Sequence, residues 1–243
     1  GDHYLGLPGL IQSMSLLGRK KPFLVYGPEG IVEFIYSILR TGYFSLGFEI
    51  RVEEYRPWKP IDFGDYTVTP FPVRHGIPCY GLCIEEKPRR GKFNAKKADE
   101  LGIPKHLRGK LARGEPVKLP NGRIVYPHEI VGPPRRGRKI VYTSDTAPFD
   151  ELVKVAKGAD VLIHDSTFRS DVQDKACLYA HSTARQAAEI AAKAKVKLLV
   201  LTHISSRYSS KKDEETLLDE AKAIFPRAVI ARDLLVIDIP LSK

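Results

Sequence analysis

Apolar residues along this chain fall into two rhythms. Short β-rich runs predict strands at "PFLVYG" (22–27), "EIRVEEY" (49–55), "YTVTPFPV" (66–73), "YGLCIEE" (80–86), "KIVYTS" (139–144), "ADVLIHDS" (159–166) and "KLLVLTHIS" (197–205). Helical spacing runs through "EGIVEFIYSILR" (29–40), 148–157, "ARQAAEIAAKAK" (184–195) and 211–225. The punctuation agrees. Gly42 stops the first helix, Pro148 and Gly158 bracket the second, and Thr183-x-x-Gln186 opens the third as a capping box. "AVIA" (228–231) and "LLVIDI" (234–239) predict a closing pair of strands. Strands alternating with helices predict an α/β fold, and no internal repeat interrupts the pattern.

One segment breaks this rhythm. Residues 87–138 hold seven prolines and seven glycines, which predicts a projecting arm with little core of its own. Within it, "VKLPNGRIVY" places an Asn-Gly turn between two β-rich runs, a hairpin signal. The chain then reads as a single domain over 1–243 with the arm inserted at 87–138.

Charge sharpens that division. The formal net charge is +10, yet the arm alone carries 15 lysines and arginines against four acids. Its +11 exceeds the total, so the remainder of the chain stands at −1. A basic excess confined to one insert points to a polyanionic partner held by that insert. Phe93 and Tyr126 are its only aromatic residues, too few for a base-stacking platform, so phosphate and shape recognition is the expected mode.

Composition narrows the remaining classes. With 43% hydrophobic and 28% charged residues the chain is globular in type, and no apolar run reaches membrane-spanning length. Cys79, Cys83 and Cys177 form no Cys-x-x-Cys pattern and no even disulfide set, which predicts a reducing, cytoplasmic setting. Nothing resembles a secretory leader, although a targeting segment upstream of Gly1 stays open. Scarce Gln, Asn and Met beside abundant Lys, Arg and Glu lean toward a thermophilic source.

The candidate chemistry sits where the strands end. "KIVYTSD" delivers Asp145, "VLIHD" delivers His164 and Asp165, "KLLVLTH" delivers His203, and "TPFPVRH" delivers His75. Open α/β sheets gather ligands along their carboxyl edge. Each residue alone has an ordinary reading: Asp145 could cap a helix, Asp165 could sit in a turn, and a lone histidine could pack. As a set, Asp2, His3, His75, Asp145 and His203 supply the imidazoles and carboxylates that zinc prefers, with a carboxylate able to bridge two metals. His164 points to the opposite face from Asp165 and reads as structural.

These residues carry a family resemblance. "GDHYLGLPGL" resembles the tail of the His-x-His-x-Asp-His motif of metallo-β-lactamase-fold hydrolases. "VRHGIPCYGL", "VYTSDTAP", "LIHDSTF", "AHSTARQAA" and "LTHISSRY" are similar, in order, to the remaining motifs of the ribonuclease Z family, endonucleases that trim tRNA 3′ ends. The resemblance spans nearly the whole chain. It implies an αβ/βα four-layer sandwich carrying the basic arm. It also implies that the sequence starts after the family's first strands and two leading histidines, so that the piece as given would be impaired.

Carried over residue by residue, the resemblance implies two zinc ions per subunit. His75 and Asp145 would serve one, and Asp2, His3 and His203 the other, with Asp145 bridging; Mn²⁺ stays open as an alternative. Water activated by the metals would attack phosphorus in line, with Asp2 orienting it. His181 is the candidate general acid, oriented by Asp165. Arg207 would either steady a phosphate or pack on Tyr208. In the arm, Lys105, Arg108, Lys110 and Arg113 would contact RNA phosphates, although "LGIPKHLRGKLARG" lacks the Gly-Pro doublet of many relatives. The implied partners are precursor tRNA and a second subunit in a homodimer, with no membrane. The implied reaction removes the 3′ trailer after the discriminator base, leaving a 3′-hydroxyl on the tRNA and a 5′-phosphate on the trailer. Two rival readings remain open here: another hydrolase on the same fold, such as a small phosphodiesterase or lactonase, and a non-catalytic RNA-binding relative.

Overall fold

A computed structural model of the chain describes residues 3–41 and 45–241. Asp2 and the helix-stop Gly42 lie outside the described residues. The chain opens with α1 (Leu7–Leu16), a helix with proline in its first turn that the apolar spacing did not announce. Next come β1 (Phe23–Gly27), α2 (Ile31–Thr41) and β2 (Ile50–Glu54). β1 and β2 pair in parallel, Phe23 opposite Ile50 and Gly27 opposite Glu54. Ile11, Val25, Ile31, Ile35 and Phe48 close a small core between this pair and the two helices.

The main sheet starts with β3 (Ile61–Asp62), β4 (Tyr66–Pro72) and β5 (Tyr80–Glu86), joined by tight antiparallel pairing. The arm follows with α3 (Ala95–Glu100), α4 (Lys105–Ala112), β6 (Val117–Lys118), β7 (Ile124–Val125) and α5 (Pro127–Ile130). The body resumes with β8 (Lys139–Tyr142), α6 (Asp150–Val155), β9 (Val161–Asp165), α7 (Gln173–Leu178) and α8 (Ala184–Ala194). It ends with β10 (Leu199–Thr202), α9 (Lys211–Lys222) and β11 (Ala228–Ile230).

Seven strands form one sheet in the order β11-β10-β9-β8-β5-β4-β3. β8 to β11 run parallel, and β5 runs against β8 and β4. The parallel strands are largely apolar because helices cover them: Leu199, Val200 and Leu201 of β10 are all buried. α8 packs on β9 and β10 and between α6 and α9. Its buried face is Ala184, Ala187, Ala188, Ile190, Ala191 and Ala194, all alanine but one, at a helical spacing that lets the helix lie close to the sheet. The expected Thr183–Gln186 capping box is present.

Strand direction decides what lies where. β8, β9 and β10 all deliver their carboxyl ends to one edge, and β4, separated from β8 by one antiparallel strand, points the same way. Asp145, Asp165, His203 and His75 therefore emerge together. The arm leaves from the end of β5 and returns at the start of β8, which is the opposite edge.

Two expectations need correcting. The arm does have a core of its own: Ala98, Ile103, Leu111, Val117, Leu119, Val125 and Ile130 are buried together. Proline and glycine density marked the turns of this small module but hid the short helices between them. The hairpin is real, with Val117 opposite Val125. At its neck the two chains run side by side through bridges Arg89–Arg135 and Phe93–Val131. They approach so closely that a Cβ on Gly91 would collide with the Gly132 carbonyl, and one on Gly137 with the Glu86 carbonyl. The second correction concerns 234–239, which forms no strand. A strand needs a neighbour to satisfy its backbone, and none pairs with this segment among the described residues. No helix among the described residues is long and apolar enough to cross a membrane.

Candidate metal centre

Asp145 lies three residues past β8 and is 7% exposed. His3 Nε2 lies 3.1 Å and His203 Nε2 3.4 Å from its Oδ2. Three sets of ligand atoms lie within 4.8 Å of one another: His3 with Asp145 and His203, His75 with Asp145 and His181, and Asp165 with His181 and His203. His181 forms the hub of the rings, its centroid 5.1 Å from both His75 and His203. The structure thus gathers His3, His75, Asp145, Asp165, His181 and His203 at one place.

Backbone conformation helps to aim them. Ser144, Ala180 and His203 all have positive φ, at 56°, 54° and 58°. Non-glycine residues adopt this region at a cost, and here it occurs at or beside Asp145, His181 and His203.

Hydrogen bonding orients three of the imidazoles. His75 Nδ1 donates to the Ala180 carbonyl at 3.2 Å, and His181 Nδ1 donates to Asp165 Oδ2 at 2.7 Å. Thr167 gives its single hydroxyl proton to Asp165 Oδ1, 2.7 Å away, so it must accept from His203 Nδ1 at 2.9 Å. A neutral His203 then carries its lone pair on Nε2, the nitrogen turned to Asp145. A lone pair facing a carboxylate oxygen repels it, and a divalent cation between them would reverse the sign. Imidazoles held by Nδ1 so that Nε2 faces a carboxylate are the arrangement metal sites use. The residues present therefore fit a divalent metal.

Asp165 has a different task. It is fully buried, and Thr146 N, Thr167 N, Thr167 Oγ1 and His181 Nδ1 all donate to its two oxygens. These four bonds use its accepting capacity, which argues against metal ligation despite its proximity. Burial pushes its pKa up, but the bonds from His181, Thr146 and Thr167 outweigh that and hold it below the ordinary carboxylate value. His164, facing the other way, is buried with Nδ1 against the Asp165 carbonyl at 2.7 Å, and burial lowers its pKa. It is a neutral core histidine, as its strand position predicted.

Arg207 does not pack on Tyr208. Its guanidinium lies over Phe168 at 4.9 Å and its Nε donates to Ser205 Oγ, while Arg169 takes Tyr208. Phe168 in turn meets His181 edge-on at 6.2 Å, so Arg207 stands beside the centre. Lys105, Arg108 and Lys110 lie on α4 and Arg113 at its end, all in the arm. Arg108 pairs with Asp99 at 2.6 Å and Arg113 with Glu115 at 3.0 Å, so both also brace the arm internally.

Sequence reading missed Thr167, which links Asp165 to His203, and Ser182, fully buried with its hydroxyl donating to the Thr146 carbonyl at 2.6 Å. Thr167 stands two residues after Asp165, the spacing of an Asx-type turn, and that was the available signal.

A family model described as "Beta-lactamase superfamily domain" matches residues 130–204. Ribonuclease Z of Methanothermobacter thermautotrophicus is 45% identical over 98% of this chain and 76% of its own length. Ribonuclease Z of Archaeoglobus fulgidus is 44% identical over all of this chain and 78% of its own. Among solved structures, the short form of human tRNase Z superposes with a TM-score of 0.66 at 26% identity, covering 99% of this chain and 76% of the human one. The metallo-β-lactamase-fold protein YhfI from Bacillus subtilis, at 20% identity and TM-score 0.59, covers 93% of this chain and 68% of its own, and speaks for the fold alone. The expected fold is thereby borne out. Identity of this degree, sustained along nearly the whole chain, means that the protein belongs to the ribonuclease Z family of the metallo-β-lactamase fold.

Proposed function

We propose that this protein is a zinc-dependent endoribonuclease that removes the 3′ trailer from precursor tRNA after the discriminator base. The tRNA keeps a 3′-hydroxyl and the trailer a 5′-phosphate. The observation that carries this reading is the meeting of His3, His75, Asp145 and His203 with the Asp165-braced His181 at one sheet edge, in a member of this family. His75 and Asp145 would hold one zinc ion, and His3 and His203 the other, with Asp145 shared; Asp2 belongs to this set but lies outside the described residues. Mn²⁺ is the competing metal. Bound divalent cations would supply Lewis acidity at the phosphodiester and lower the pKa of a nearby water.

The chain's own residues supply the rest. His181, fixed through Nδ1 by Asp165, presents Nε2 to hand a proton to the departing 3′-oxygen. Arg207, steadied on Phe168, offers a cation to the neighbouring phosphate. The arm, 87–138 within a single 1–243 domain, grips the tRNA backbone through Lys105, Arg108, Lys110 and Arg113. Its returning chain enters the sheet at the far end of β8 from Asp145, a strand of four residues that spans about 10 Å at strand rise. A cytoplasmic homodimer, in which one subunit's arm holds the tRNA cut by its partner, accommodates that separation.

Incubation of the metal-loaded full-length protein, leading histidines included, with precursor tRNA and mapping of the ends tests this. One cut after the discriminator base, with the stated termini, is expected. Binding without cleavage, or turnover of a small chromogenic phosphodiester alone, would refute it.

A further inference from the structure

The arm's neck is joined to the body by a buried carboxylate with no part in the metal centre. Asp160 stands directly ahead of β9 and is 5% exposed. Its Oδ2 accepts from Arg136 Nη2 and from the Lys139 amide, both at 2.8 Å, and its Oδ1 accepts from Lys197 Nζ at 2.6 Å. Arg136 Nη1 also donates to the Gly158 carbonyl at 2.8 Å. Arg136 belongs to the arm's returning chain, Lys197 to the turn before β10. One carboxylate thus ties together three segments that are distant in sequence.

The neck's other links do different work. Backbone bonds between Arg89 and Arg135, 2.8 Å in each direction, hold its two chains to each other. The Arg138 guanidinium grips Glu86 at the root. Lys87, bonded to Asp62 and to the Asp65 carbonyl, ties the outgoing chain to the antiparallel end of the sheet, and Arg138 also reaches the Ile239 carbonyl, whereas Asp160 and Gly158 hold Arg136 of the returning chain from the β9 side. β9 then runs five residues, about 16 Å, to Asp165, which holds His181. The arm's anchor and the candidate acid's brace are the two ends of one strand inside the sheet.

We propose that Asp160 is a positioning residue: it locks the arm's angle to the sheet and so sets where gripped RNA presents its phosphodiester. This rests on the proposed function, since it needs the arm to hold the substrate. A buried carboxylate bonded to two cations is costly to leave half-paired, which makes this lock stiff and specific. Pre-set geometry lowers the ordering cost of binding, so its loss weakens a large, shape-read ligand and leaves a small one indifferent.

Asp160→Asn separates positioning from simple electrostatics, because removing a negative charge should by itself tighten RNA binding. The measurements are the tRNA Kd of the metal-free protein by fluorescence anisotropy, and kcat and KM of the metal-loaded protein on precursor tRNA and on a small chromogenic phosphodiester. Expected is a rise of roughly tenfold in tRNA Kd and KM, with the small diester within about twofold of the parent protein. Arg136→Lys, which keeps the charge but cannot span Asp160 and Gly158 together, should reproduce the split if Asp160→Asn folds poorly. Unchanged or tighter tRNA binding in these variants overturns the proposal, as does an equal loss on both substrates. If the parent protein does not cut precursor tRNA at all, the proposed function falls, and the binding comparison still decides the role of Asp160.

Discussion

Thr167 has a single hydroxyl proton, and Asp165 takes it; His203 is therefore turned so that its basic nitrogen faces Asp145. Thr167→Val removes that acceptor at nearly constant volume. Metal affinity should fall about 10–100-fold, read by titration against a chromogenic chelator, and Thr167→Ser should restore it. His181→Ala should behave oppositely, slowing cleavage by roughly 10²–10⁴-fold with metal content intact. Loss of metal in that variant would make His181 a ligand, which its distance to His75 and Asp145 also permits. His75, Asp145, Asp165 and His203 were legible in the sequence because each ends a β-rich run, whereas His3 and His181 were picked out by the family resemblance. Their hydrogen-bond partners were not. The Ala180 carbonyl and the Thr146 amide carry no chemical label in a sequence, and only folding brings them to His75 and Asp165.

Among the elements, the arm departs most from expectation. Its seven buried side chains make it a small module rather than a loop. Leu111→Ala should remove about 2–5 kcal/mol from that module. A melting curve with an early arm transition, and tRNA binding lost before activity on a small diester, are the expected readouts. At the neck, hydrogen bonds from Arg138 hold the Glu86 carboxyl at about 2, well below its ordinary 4.5. A carboxylate depressed on folding contributes stability above its unfolded pKa and loses it as pH falls through the folded one. The Glu86–Arg138 link should therefore persist above about pH 4.5 and release between about 4.5 and 2, seen as faster exchange of the Arg138 amide that Glu86 also accepts. The Asn-Gly hairpin was legible because its turn is local. The three short arm helices were not, since tertiary packing rather than a long amphipathic repeat stabilises them.

At the scale of the whole molecule, strand direction separates two features: the basic arm leaves one edge of the sheet and the metal-type residues occupy the other. Deleting 87–138 should raise the KM for precursor tRNA far more than that for a small diester, because it removes remote binding rather than chemistry. Raising salt in the intact protein should imitate the deletion, since backbone phosphates neutralised by the arm release counterions. Equal salt sensitivity on both substrates would deny the arm its role.

Apolar rhythm, charge placement and strand-end residues determined the α/β class, the basic insert and most of the candidate ligands, because these are properties of local sequence. Parallel and antiparallel order, and with it the edge each strand end reaches, was decided by pairing between segments far apart in the chain. So was the fate of 234–239, an apolar run that stays irregular where no strand pairs with it. The tautomers at the centre and the Asp160 lock belong to the same class: each depends on donors and acceptors that meet only once the sheet has closed.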